Sequence, residues 1–111
     1  MKNLLNNAVV ELVERVSNEL GSAKKEMIVL DREGDKINAV IERRENIINL
    51  FKKIDNLNLK MKEQFPDEEL DIDIDRFKFI VNIQLEDLLD MAHGLLKHED
   101  LFTLEEVDTL L

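Results

Sequence analysis

Glu86, Asp90 and His93 stand four and three residues apart, a spacing that places three potential metal ligands on one helical face. A carboxylate-rich di-metal bundle needs a Glu-x-x-His unit on each of two helices, plus two further glutamates. Here Asp90 stands in place of the glutamate and no second unit exists, so a solvated polar face is the better account. His98 lies five residues beyond His93, the wrong separation for two ligands on one face. Asp71, Asp73 and Asp75 alternate as at the start of a calcium loop. That loop requires Gly at its sixth position and Glu at its twelfth, where this chain has Arg76 and Asn82. The three glycines are scattered, which rules out a glycine-rich phosphate loop. Ser17 and Ser22 have no histidine near them in sequence to activate a hydroxyl. Cysteine is absent, and with it disulfides, thiolate metal sites and thiol nucleophiles. The chemistry-bearing residues thus predict no enzyme, no cofactor and no metal.

The elements carrying these residues are helical. Between Asp35 and Phe65, Ile37, Val40, Arg44, Ile47, Phe51, Ile54, Asn58, Met61 and Phe65 recur at steps of three and four. That rhythm holds one side of a helix toward a partner, whereas a strand needs a period of two. Before it, Leu5, Val9, Leu12, Val16, Leu20, Ala23, Met27 and Leu30 form the buried stripe of a helix over residues 3–30. The stripe keeps its phase across Gly21, so the helix is expected to run through that residue. Asp31-Arg32-Glu33-Gly34-Asp35 reads as a tight turn, with Gly34 left-handed and Asp35 capping the next helix. So short a connection makes the two helices antiparallel neighbours.

Pro66 stops the second helix, and six acids follow within residues 67–75. Leu70, Ile72 and Ile74 alternate with those acids, which fits an extended segment pinned by three apolar side chains. A third helix is expected over 75–97, with Gly94 weakening its last turns. Phe77, Val81, Gln84, Leu88, Met91 and Leu95 form its stripe, and Ile80, Leu85, Leu89, Ala92 and Leu96 widen it to about half the circumference. A plain hairpin would leave part of that surface uncovered. Thr103-Leu104-Glu105-Glu106 has the form of a capping box opening a short helix over 103–111, with Leu104, Val107, Leu110 and Leu111 on one side. So few residues hold no helix in water unaided. The expected fold is all-α: one domain, an antiparallel helical bundle of three long helices plus a short C-terminal helix.

With 111 residues and a net charge of −10, the chain is ill suited to nucleic acid, whose phosphates it would repel. The charge is unevenly divided: residues 1–65 carry 12 basic and 11 acidic side chains, residues 66–111 carry 3 and 14. A solvated surface or a basic partner accounts for the acidic half. The N-terminus is too polar for a signal peptide, and no apolar run approaches the ~18 residues that span a membrane. No membrane partner and a cytoplasmic location are the expectation.

Around the turn, Glu26-Met-Ile-Val-Leu30, Gly34-Asp35-Lys-Ile37 and Ile41-Glu-Arg43-Arg44-Glu45-Asn-Ile47-Ile48 resemble the helical hairpin of flagellar export chaperones of the FliT and FlgN kind. The similarity covers about residues 10–65, more loosely the third helix and the C-terminal helix. It implies a non-catalytic cytoplasmic chaperone that shields an amphipathic segment of an export substrate, such as a filament-cap or hook-associated subunit. In FliT-like proteins the C-terminal helix partly occludes the binding surface. By that resemblance Leu104, Val107 and Leu110 are a movable cover. The surface beneath is Phe77, Ile80, Val81, Leu85, Leu88, Leu89, Ala92 and Leu96. The chain departs from such chaperones in having no tyrosine, which they often use to contact the export gate. Two other classes compete with this one. A self-assembling coiled coil would cover the apolar surplus by forming a homodimer, and an acidic, antitoxin-like inhibitor would bind a basic partner through its C-terminal half.

Overall fold

A computed structural model describes residues 2–95, and every regular element among them is helical. The elements are α1 (Lys2–Val29), α2 (Glu33–Gln64) and α3 (Ile74–Ala92). The fourth helix expected over 103–111 lies outside the described residues, as does Leu96. The chain is 49 × 27 × 15 Å. Its long axis matches the ~48 Å rise of a 32-residue helix, so α2 sets the length of the molecule.

Gly21 does not interrupt α1, because the apolar stripe on either side holds the helix to one line. Val9, Leu12, Val16, Leu20, Ala23 and Met27 are all buried, and they meet Ala39, Val40, Ile47, Leu50, Phe51 and Ile54 of α2. Leu5 and Leu30, at the ends of the stripe, are half-buried. The expected left-handed Gly34 is corrected. Only Leu30–Arg32 separate α1 from α2, Gly34 sits inside the first turn of α2, and Arg32 occupies the cap position without a side-chain bond. Glu33 and Asp35 lie in that first turn, beside its free amides, where negative charge is favoured.

Phe65 closes α2, its amide donating to the Met61 carbonyl, and Pro66 prevents continuation. The chain then crosses back toward α3. Leu70 and Ile72 are half-buried and Ile74 is buried, while the acids between them face solvent. The Asp71 amide donates to Asn6 Oδ1 on α1 at 3.3 Å. Asp73 caps α3 by accepting from the Arg76 amide at 3.1 Å.

The third helix ends earlier than residue 97. The Leu95 amide donates to the Asp90 carbonyl and the Gly94 amide to Met91, with Gly94 at φ 76°. This pair of bonds is a Schellman motif, which needs the left-handed residue that glycine supplies. Gly94 therefore terminates α3 rather than merely weakening it.

Candidate functional site

The contacts between α2 and α3 run in opposite chain directions. The Phe51 and Phe77 rings meet edge to face, centroids 6.3 Å apart. Lys78 Nζ reaches Asp55 Oδ2 at 3.0 Å and lies 5.7 Å from the Phe51 ring centre. At the far end, His93 Nδ1 is 3.4 Å from Glu33 Oε1. The helices are thus antiparallel, with α3 set against both members of the α1–α2 hairpin.

That placement corrects the expectation of a broad uncovered stripe on α3. Ile80, Val81, Leu85, Leu88 and Ala92 are buried, and Phe77 and Leu89 are half-buried against the core. A helix lying against two others is covered on two sides, so half a circumference of apolar surface is absorbed within one chain. Gln84 is buried in the same stripe. Of the expected contact residues, Leu96, Leu104, Val107 and Leu110 lie outside the described residues.

What α3 does not cover lies on the outer side of its junction with α2. A groove of about 360 Å³ runs there, lined by Val40, Ile41 and Arg44 from α2 and by Asn82, Leu85, Glu86 and Leu89 from α3. Ile41 is 47% exposed, Ile48 is 40% exposed, and Phe79 on α3 is 55% exposed. Ile37, Ile41, Arg44 and Ile48 follow at four, three and four, which makes a second stripe on α2 beside the buried one. Arg44 accordingly points outward and is exposed. Leu85 and Leu89 are the two expected contact residues that line this groove.

A second hollow, of about 500 Å³, lies under the α2–α3 connection. It is walled by Asn58, Lys62 and residues 68–75, half of these ten being acids. No group of three or more His, Cys, Asp or Glu side chains able to hold a metal occurs among the described residues. Glu86, Asp90 and His93 are all exposed. No described helix is long and apolar enough to cross a membrane.

Two charged features escaped the sequence patterns. Arg43 bridges α2 to α1: its Nη1 donates to Glu19 Oε2 at 2.9 Å and its Nε to Glu26 Oε1 at 2.8 Å, with Nη2 also on Glu26. Hydrogen bonds donated to Glu19 first, then to Glu26, hold this guanidinium above its ordinary pKa. On α3 the Asp87 carboxyl is raised above its usual range, by burial first and then by the charges of Asp90 and Glu86. No family model, curated protein or solved structure matches the chain.

Proposed function

We propose that this chain is a non-catalytic chaperone or adaptor that receives an amphipathic helical segment of another protein in the α2/α3 groove. The observation supporting it is the second aliphatic stripe of α2, whose Ile41 is left open beside Leu85 and Leu89, with the exposed Ile48 two turns further along. A helix laid in such a groove inserts anchors at three- and four-residue steps between the two walls. Arg44 and Glu86 at the rim would orient it through charge.

The resemblance of residues 10–65 to flagellar export chaperones favours a cytoplasmic protein and a secreted client, of the filament-cap or hook-associated kind. On this reading the segment 103–111 forms a short helix that acts as a cover through Leu104, Val107 and Leu110. Affinity capture with the wild-type chain and an Ile41→Glu variant tests it. The wild type should retain one helical client in high salt, and the variant should lose it while keeping its helicity. A client retained equally by both would move the binding surface elsewhere. A basic protein released by salt would favour the acidic-inhibitor alternative.

A further inference from the structure

The α2/α3 groove has walls of opposite charge at the same level. Arg44 stands on the α2 wall and Glu86 on the α3 wall, and both line the one groove. Ile41 and Ile48 flank Arg44 at a separation of seven residues, so they share its face of α2. Phe79 and Glu86 are likewise seven apart and share a face of α3, with Leu89 one turn beyond. Neither Arg44 nor Glu86 forms an ion pair with another described residue.

We propose that a second copy of this chain covers the groove in the free protein, related by a two-fold axis running along the groove. The proposal rests on the groove being the client site, and it assigns that site a resting occupant. Rotation about such an axis lays the α2 wall of each copy on the α3 wall of the other without shifting it lengthwise. Arg44 then meets Glu86 of the second copy, and the same pair forms again by symmetry. The Ile41–Ile48 strip falls on the strip from Phe79 to Leu89. An isologous contact requires this self-complementarity, in which one patch carries both halves of every pair. Client and second copy compete for the same surface, so dimer dissociation gates client binding.

Sedimentation velocity on the full chain tests this, with wild type, Arg44→Glu, Glu86→Arg and the double variant compared from low to high micromolar concentration. Circular dichroism checks that each is folded; both positions are exposed and should tolerate the change. The wild type should show a concentration-dependent monomer–dimer equilibrium. Each single variant should dimerise at least about tenfold more weakly, because like charges then face each other twice. The double variant should recover the dimer. Mixing the two single variants should also give a heterodimer. The Arg44→Glu copy is acidic at both positions and the Glu86→Arg copy basic at both, so opposite charges meet at each of the two contacts.

A wild-type chain that is monomeric at every concentration would overturn the proposal, as would a dimer indifferent to both substitutions. A Leu104, Val107, Leu110→Ser variant that dimerises more tightly than wild type would also overturn it, since the terminal segment would then be the resting cover. The client reading fails separately. If Ile41→Glu abolishes the dimer but captures the same client, the groove is a dimer interface alone; a monomeric wild type whose client is lost on Ile41→Glu leaves the client site standing.

Discussion

Gly21 and Gly94 lack the same atom and serve the chain differently. In α1 a Cβ added at Gly21 meets nothing within 4 Å, and the backbone there is ordinary helix. Gly21→Ala should therefore stabilise the protein by about 1 kcal/mol, the propensity difference between the two residues. Gly94 has φ 76°, where an L side chain crowds its own carbonyl. Gly94→Ala should be destabilising by about 1 kcal/mol. Urea midpoints at constant slope check both signs. The helix running through Gly21 was legible because the apolar stripe kept its phase. The stop at Gly94 was not, because Leu95 continues the same three-four rhythm and only the backbone bonds reveal the Schellman turn.

Asp87 supplies a pH dependence of known sign. Its pKa is raised in the folded chain, by burial first and then by Asp90 and Glu86. The folded state thus holds this proton more tightly than the unfolded state. The resulting stability is present below the unfolded carboxylate pKa and is lost as pH rises through the folded value. At neutral pH Asp87→Asn should raise the unfolding free energy, read from urea midpoints at constant slope, by less than about 1 kcal/mol because the site is partly solvated. The advantage should vanish as the pH falls through the carboxylate range. An advantage independent of pH would assign it to packing instead.

Among the elements, α1 is fastened by an apolar stripe that a single sequence displays in full, whereas on α2 Arg44 of the expected stripe is exposed and Ala39 and Leu50, outside it, are buried. From Val9 to Met27, the positions read at steps of three and four are those found buried. The Arg43 bridge is different. Its partners lie 24 and 17 residues away, and no local periodicity marks such a pair. Arg43→Met should lower stability by about 1 kcal/mol, and the difference should shrink in 1 M salt as screening weakens the wild-type bridge. A difference unchanged by salt would mean that Arg43 acts through its hydrocarbon stem. The breadth of the α3 stripe was also legible, but not what it meant. Sequence gives how much of a helix is apolar and not how many neighbours it has. The same ambiguity hid the groove, since Ile41 and Ile48 lie outside the stripe expected on α2 and nothing in the sequence says which side of that helix stays open.

At the scale of the molecule, α1 and α2 form a hairpin, α3 lies against both, and one aliphatic edge faces outward with opposite charges on its walls. All-α architecture and antiparallel order followed from helix lengths and short connections. The position of the groove did not, because it depends on which side of α3 the hairpin occupies. The central claim is that this edge, centred on Ile41, receives another helix. The most direct measurement places a photo-activated crosslinker at position 41 of the full chain in cells, with position 4 as a control. Leu4 is also exposed and apolar but lies on α1. The account predicts adducts from position 41 to the helical segment of one client or to α3 of a second copy, and none from position 4. Equal labelling from both positions, or none from position 41, would contradict it.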